Sequence, residues 1–397
     1  MLVDTKFHHV AQPLFYASLD ARLVRPDLAI SLLHHPHLAK YVRHLTERGA
    51  ITHTTLAAIS ACTNLTSLTW IDDLPSSPHS PSAFSRNRNA DTETRALISL
   101  AAQRTRLPHL SSLTLRTYND LTPEAWTQLT AIPNLTRLSL WCFASLGNTW
   151  SSGLLAESLT HLELCVGALS SADCISLFSG LPLLQDLRLK GAPSSIIPRI
   201  LALLPALHTL DTDFMWRRQS TENYQPHPAI QLRHLAVRTS TSTHERMYAW
   251  LDDLGQPTDS FRLQAFAFRT THVVPSGFVR GLPSTLREFM VGEAQLHPVD
   301  LQFLCQSMRG LERLECGLRT SEISVVQAAI QAGKKLREIK IFVEGIKLGL
   351  EQATEWMLGH ENLRVIGVNS DVFKGTWVAG PALQVEEAIV DGNRWGT

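Results

Sequence analysis

The chain has 397 residues, with 36 basic and 36 acidic side chains and a formal net charge of zero. Hydrophobic residues make up 44% and charged residues 18%, a composition that supports a large core and excludes an intrinsically disordered protein. Because the charges balance, we expect neither nucleic acid nor a membrane surface among the partners of this chain.

The cysteines and the N-terminus indicate the compartment. Six cysteines are scattered along the chain without a CxxC pair, which favours reduced thiols over a disulfide framework. The first twenty residues lack the long apolar core of a signal peptide, and no apolar stretch reaches the roughly 18 residues that span a bilayer. We therefore expect an intracellular protein, in the cytoplasm, the nucleus or both.

Residues 1–47 have no repeated pattern and are predicted to form an N-terminal cap. Lys6–Gln12 is predicted as a helix that Pro13 ends, and Leu14–Leu19 as a strand. A second helix is predicted over Pro26–Leu33, because proline is favoured in the first turn of a helix. The first strand of the next domain is predicted near Val42–Leu45.

From residue 48 onward, the motif LxxLxL or a close variant recurs, and between Leu110 and Leu363 its mean spacing is about 25 residues. Its copies begin at Leu65, Leu110, Leu135, Leu159, Leu184, Leu207, Leu232, Leu263, Leu286, Leu311, Leu336 and Leu363. A fixed period between 20 and 29 residues with this spacing is the signature of leucine-rich repeats. Such repeats build binding scaffolds, so the pattern indicates binding without naming the ligand.

Each repeat is predicted to contain one strand and one helix. The apolar residues of the motif alternate with polar ones, as in a strand with one buried face. Thr122 and Pro123 then begin a helix as N-cap and first-turn residues. Since strand–helix units of this length require parallel neighbours, we predict an α/β leucine-rich-repeat solenoid. Its expected form is a curved horseshoe with parallel strands on the concave face and helices on the convex face.

The predicted repeat domain covers residues 48–376, with about 12 repeats, and residues 377–397 are predicted as a C-terminal cap or tail. The interval between Leu65 and Leu110 is about 20 residues too long and contains the Pro/Ser-rich stretch 74–91. We expect that stretch to be a disordered loop, because it cannot bury enough apolar surface.

The N-terminal segment suggests a family. Phe7–Leu19 reads FHHVAQPLFYASL, and Leu32–Leu45 reads LLHHPHLAKYVRHL. Both stretches resemble the region that joins the F-box to the repeats in fungal F-box/leucine-rich-repeat proteins. The resemblance implies a substrate-recognition or adaptor protein of a cullin-type ubiquitin ligase. The chain begins inside what would be the last F-box helix, so the resemblance implies adaptor binding only if an F-box exists upstream.

A different reading stays open beside this one: a ligase-independent leucine-rich-repeat scaffold or regulator, for example of a GTPase. An enzyme is not expected. The sequence contains no GxSxG, P-loop, GxGxxG or HExxH motif. We therefore predict no catalytic residues, no cofactor and no metal site.

The outward positions of the predicted strands are the candidate binding surface. Arg and Trp are enriched among the residues that dominate binding energy at interfaces, and several outward positions carry them. Because arginine pairs well with acidic and phosphate oxygens, we expect a protein partner with acidic or phosphorylated residues on the concave face. The candidate partner-binding residues are Arg116, Arg137, Trp141, His161, Glu163, Arg188, Lys190, Asp211, Asp213, Trp216, Arg238 and Arg269.

Overall fold

A computed structural model describes the following residues: 5–21, 28–72, 93–117, 121–142, 151–166, 169–215, 232–239, 244–255, 263–269, 272–320, 322–377 and 383–388. The loop predicted at 74–91 and residues 389–397 of the predicted tail lie outside these ranges. The chain forms two compact units. Unit one comprises Met1–Leu207 with Gln219–Tyr224, and unit two comprises His208–Arg218 with Gln225–Thr397.

Unit one contains a parallel sheet whose strands are hydrogen-bonded in chain order. The strands are β1 Ser18–Asp20, β2 His44–Arg48, β3 Ser67–Ile71, β4 Ser112–Arg116, β5 Arg137–Cys142, β6 His161–Val166 and β7 Asp186–Lys190. The helices are α1 Thr5–Tyr16, α2 Leu28–His34, α3 Pro36–Ala39, α4 His53–Ala61, α5 at 93–102, α6 Pro123–Thr130, α7 Ser171–Phe178 and α8 Ile197–Leu203. Short 3-10 helices lie at Gly153–Glu157 and Ser194–Ile196.

Unit two continues the same repeat and ends differently. Its strands are β8 Thr209–Asp213, β9 His234–Arg238, β10 Ala265–Arg269, β11 Glu288–Leu296, β12 Arg313–Leu318, β13 Glu338–Phe342, β14 Val365–Val368, β15 Asp371–Trp377 and β16 Leu383–Glu387. Its helices are α9 His244–Gly255, α10 Ser276–Gly281, α11 Pro298–Ser307, α12 Ile323–Ala332 and α13 Leu350–Leu358. Strands β8 to β14 are parallel, whereas β15 and β16 pair antiparallel at the end of the sheet.

The motif leucines set the register of both sheets. Leu113, Leu138, Leu162 and Leu187 pair in register on successive strands of unit one. All four side chains are at most 3% exposed, and the strand residues directly before and after each of them face outward. The predicted alternation is therefore confirmed, and each sheet is open, as expected for stacked leucine-rich repeats.

Hydroxyl groups connect neighbouring repeats just before the strands of unit one. Thr66 Oγ1 donates to the carbonyl of Arg43 at 3.0 Å, and Ser111 Oγ donates to the carbonyl of Thr66 at 3.3 Å. Thr136 and Thr160 repeat this contact, each to the carbonyl of the corresponding residue one repeat earlier, at 3.1 Å. These four side chains satisfy backbone acceptors at the strand entrances, so they serve the fold.

Phenylalanine replaces the motif leucine in β10 and β11. Phe266 stacks against Phe289 with their ring centroids 6.0 Å apart, and it contacts Phe278 of α10 at 5.3 Å. These rings pack under α10, a helix of six residues, and keep the core close-packed in place of the motif leucine.

One asparagine organises the last parallel repeats. Asn369 follows β14 with a φ of 55°, a backbone conformation that asparagine tolerates better than most residues. Its side chain accepts from the backbone N–H of Val343 at 2.9 Å and donates to the carbonyls of Val343 and Ile346 at 2.8 and 2.9 Å. These three bonds fix the loop after β13 and the turn into β15.

The N-terminal segment differs from the predicted elements. Helix α1 continues through Pro13 to Tyr16, and strand β1 is only three residues long. The prediction of a helix end at Gln12 and a strand over Leu14–Leu19 is therefore wrong. Proline removes one helical hydrogen bond, but its fixed φ fits an α-helix, so one more turn can follow it.

Candidate partner-binding surface

The outward side chains of unit one form three rows across the strands, one at each outward position. The first row is His44, Ser67, Ser112, Arg137, His161 and Asp186. The middle row is Thr46, Thr69, Thr114, Ser139, Glu163 and Arg188. The last row is Arg48, Ile71, Arg116, Trp141, Cys165 and Lys190.

Trp141 is the centre of a cluster of cations. The guanidinium of Arg116 lies 4.7 Å and the ammonium of Lys190 4.6 Å from its ring centroid. The Arg188 guanidinium lies 5.6 Å from the same centroid. Each contact of this kind contributes about 0.5–1 kcal/mol at an exposed site, so the four predicted residues form one preorganised group.

Ion pairs hold the neighbouring outward residues of β5, β6 and β7. Glu163 accepts a hydrogen bond from Ser139 Oγ at 2.6 Å, and its other oxygen lies 2.8 Å from Nη1 of Arg188. His161 Nε2 lies 2.5 Å from Asp186 and 3.3 Å from Arg137. Since one ring nitrogen cannot serve both contacts, we assign the shorter one as the hydrogen bond. The predicted residues His161 and Arg188 are thus oriented by contacts within the protein, whereas Arg137 lies beside the His161 ring without being held by it.

Unit two brings together a different set of predicted residues. Arg238 lies between two carboxylates, 2.8 Å from Asp211 and 2.8 Å from Asp213. Burial acts to lower the pKa of Arg238, but hydrogen bonds and charge attraction from Asp213 and Asp211 outweigh it and raise the pKa. This guanidinium is therefore neutralised within the fold, and the expectation that it pairs with an acidic partner loses support.

A similar arrangement lies on β11 to β13. The Arg313 side chain contacts Glu338 at 3.1 Å and Glu288 at 3.5 Å. The described outward face of unit two thus pairs much of its own charge, in contrast to the strands β2 to β5 of unit one, whose twelve outward positions include no carboxylate.

The side chains of two predicted residues lie outside the described part of the structure. Trp216 follows the last described residue of its segment. The backbone of Arg269 ends β10, but its side chain is not among those described.

Outward hydroxyl groups are further functional candidates that were not among the residues predicted from the sequence. Thr69 and Thr114 pair in register on β3 and β4, as do Ser67 and Ser112. All four are half-buried, and within the described residues none of their hydroxyls has a hydrogen-bond partner. The signal was present in the sequence as a hydroxyl residue at the same position of successive repeats.

The thiols and the remaining polar groups define what else the described chain contains. All six cysteines are free, and only Cys165 is more than slightly exposed. Burial raises the pKa of Cys62, Cys174 and Cys305 to about 12 in each case. Across the described ranges, no group of three or more potential ligands could hold a metal ion. Those ranges also contain no helix with the length and apolar character needed to cross a bilayer.

Comparison with known proteins finds no matching family model and no matching curated protein. Solved structures with low sequence identity do resemble this chain. An internalin (inlF) from Listeria monocytogenes is 16% identical, with 90% of this chain and 92% of that chain covered and a TM-score of 0.42. The leucine-rich repeat-containing protein LegL7 from Legionella pneumophila is 12% identical over 79% of this chain and 97% of that chain, with a TM-score of 0.41.

A chain from the yeast Rad7 and Elc1 complex is 15% identical, with 87% of this chain and 92% of that chain covered and a TM-score of 0.43. Likenesses of this size say nothing about what the present chain binds. The repeat and its hydrogen-bonded strands therefore define the fold by themselves: an α/β leucine-rich-repeat solenoid with parallel strands and an open sheet.

Proposed function

We propose that this chain is a non-enzymatic protein-interaction scaffold that binds partner proteins through the outward strand face of unit one. The observation that carries the proposal is the contact of Trp141 with Arg116, Arg188 and Lys190. These are residue types that dominate interface energies, and here they are held together before any partner arrives. Cations around an indole ring favour an acidic or phosphorylated partner.

The finer proposal is a substrate-recognition or adaptor protein of the F-box/leucine-rich-repeat kind, inside the cell. Two features support it. Helix α1, within the segment that resembles the F-box junction, exposes Leu14 and Phe15 by 77% and 74%, as a helix that docks on another protein does. The six free thiols fit a reducing compartment.

Affinity capture from cell extract with quantitative mass spectrometry tests the binding face. The variant Arg116→Glu with Lys190→Glu reverses two cations beside Trp141, and we expect it to lose the partners recovered by the wild-type chain. The control Arg104→Glu with Arg199→Glu makes the same charge change at exposed sites outside the strands of unit one. If the control loses the partners and the strand variant keeps them, the binding face lies elsewhere.

A second experiment separates the ligase role from a ligase-independent scaffold. The adaptor subunit of a cullin ligase is mixed with the 397-residue chain and analysed by gel filtration. We predict that this chain alone binds the adaptor weakly or not at all. A 1:1 complex that Phe15→Glu abolishes and Val299→Glu leaves intact would assign the ligase role to α1, because Val299 is similarly exposed on α11.

A further inference from the structure

The outward face of β4 and β5 has a cation at each end and hydroxyls between them. Arg137 lies in the first row beside Ser112, and Arg116 lies in the last row, two residues beyond Thr114. At about 3.3 Å per strand residue and about 4.8 Å between strands, the two arginines stand roughly 14 Å apart. No carboxylate occupies any outward position of β2 to β5.

The hydroxyls between the arginines are available for a ligand. Residues Thr66, Ser111 and Thr136, which precede the strands, donate to backbone carbonyls of the neighbouring repeat. The outward hydroxyls of Ser112 and Thr114, by contrast, have no partner among the described residues, and both side chains are half-buried. A hydroxyl both donates and accepts, so it can bind the N–H and the carbonyl of a peptide backbone.

Two buried N–H groups at the Arg116 end of this surface have no hydrogen-bond acceptor among the described residues. The Nε of Arg116 and the Nε1 of Trp141 are buried without a hydrogen-bond partner in the described protein. Because these N–H groups and the rest of the guanidinium are not neutralised by an acceptor, the local electrostatic potential is positive, and an anion bound there would be stabilised. Arg137 is exposed, and its guanidinium lies 3.3 Å from a His161 nitrogen that is already bonded to Asp186.

From this arrangement we infer that the surface binds an extended segment of a partner protein that carries two acidic side chains four residues apart. Four residues of extended chain span about 13–14 Å, which equals the separation of the arginines. Side chains at positions i and i+4 point to the same side of an extended segment, so one carboxylate pairs with Arg137 and the other with Arg116. The hydroxyls of Ser112 and Thr114 then bind the backbone between them. The inference rests on the proposed function and specifies the partner at that face.

Fluorescence anisotropy with the full chain and labelled synthetic peptides tests the inference. The probe is a Gly/Ser peptide with Glu at positions i and i+4, and the comparison peptide has the same composition with the two Glu residues adjacent. We expect the spaced peptide to bind at least about tenfold more tightly at low salt and to weaken as salt increases. Equal binding of the two peptides would overturn the spacing, and equal binding of a Lys version would overturn the charge.

Variants assign the contacts. Arg116→Gln and Arg137→Gln should each weaken the spaced peptide about tenfold, which is the loss of one charge-assisted pair. Ser112→Ala with Thr114→Val should weaken it about threefold, because only neutral hydrogen bonds are lost. Arg104→Gln, an exposed arginine of the same unit outside the strands, should have no effect. Circular dichroism confirms that each variant is folded.

The outcomes separate this inference from the proposed function. If Arg116→Gln and Arg137→Gln bind the spaced peptide as the wild type does, the inference is wrong. Partner capture that still depends on Arg116 and Lys190 would then leave the scaffold function in place. If the peptide binds as described but partner capture is unaffected by strand variants, the peptide site exists and the proposed function fails.

Discussion

Leu187→Ala is the sharpest test of the strand register in unit one. Leu187 is an inward residue of β7 and is 1% exposed. Leu183 lies in the turn before β7 in the same repeat and is 45% exposed. The same substitution at both positions removes the same atoms, so the two variants differ only in what surrounds those atoms.

The expected magnitude follows from burial. Leucine to alanine removes three carbon groups, about 2.4 kcal/mol at about 0.8 kcal/mol each when fully buried. The cavity left behind raises the loss to as much as about 5 kcal/mol. For Leu183→Ala, the partial exposure reduces the loss to under about 1 kcal/mol.

Hydrogen exchange is the appropriate assay, because a repeat protein couples mainly to its nearest neighbours and need not unfold in one step. In Leu187→Ala we expect faster exchange in β6, α7 and β7, with little change in β2 and β3. Urea denaturation followed by circular dichroism gives the overall loss. Equal effects of Leu187→Ala and Leu183→Ala would refute the register, since a shift by one residue would place Leu187 outside.

Three further predictions use other parts of the fold. A Cβ at Gly317 would lie 2.6 Å from the carbonyl oxygen of Glu293, whereas one at Gly277 would meet nothing within 4 Å. Gly317→Ala should therefore lower the thermal midpoint of unfolding, and Gly277→Ala should leave that midpoint unchanged or raise it. Burial and the neighbouring His244 lower the pKa of His272 from 6.5 to about 4. The unfolded chain then gains a proton before the native state does, so stability should fall by roughly 1–3 kcal/mol as pH drops from about 6.5 to about 4. His272→Gln should remove that dependence in urea titrations, and an unchanged slope would contradict it. A thiol reagent should label Cys165 first in the native protein, because the other five thiols are buried. Mass spectrometry follows the labelling, and Cys165→Ser should abolish its fast phase. Rapid labelling of Cys142 instead would mean that the inward and outward faces of the strands are assigned the wrong way round.

The repeat made the parallel strands predictable, because an alternating apolar pattern has only one way to bury its leucines on a stacked sheet. The ends of the chain were less predictable. Strands β15 and β16 pair antiparallel and carry no copy of the motif, and the turn between β14 and β15 depends on Asn369 in a left-handed conformation. At Pro13, local preference predicted a helix end, and the helix instead continues for one turn.

The candidate surface was predictable in position but not in its contacts. The outward placement of Arg116, Trp141 and Arg238 follows from strand periodicity alone. Whether a given arginine meets an aromatic ring or a pair of carboxylates depends on side chains about 25 residues away in sequence, such as Asp213 for Arg238. The pattern within a single repeat does not show that pairing. It becomes visible only when the repeats are aligned in register with one another.

The hydroxyl contacts that precede the strands of unit one have an evolutionary consequence. Each hydroxyl, such as that of Thr136 or Thr160, bonds to a backbone carbonyl of the repeat before it. Every amino acid supplies that carbonyl, so the link does not depend on which side chain the neighbouring repeat carries. A duplicated or deleted repeat in this stretch would find the same acceptor at its new junction. The number of repeats, and with it the length of the outward strand face, can therefore change in a lineage without compensating substitutions at these joints.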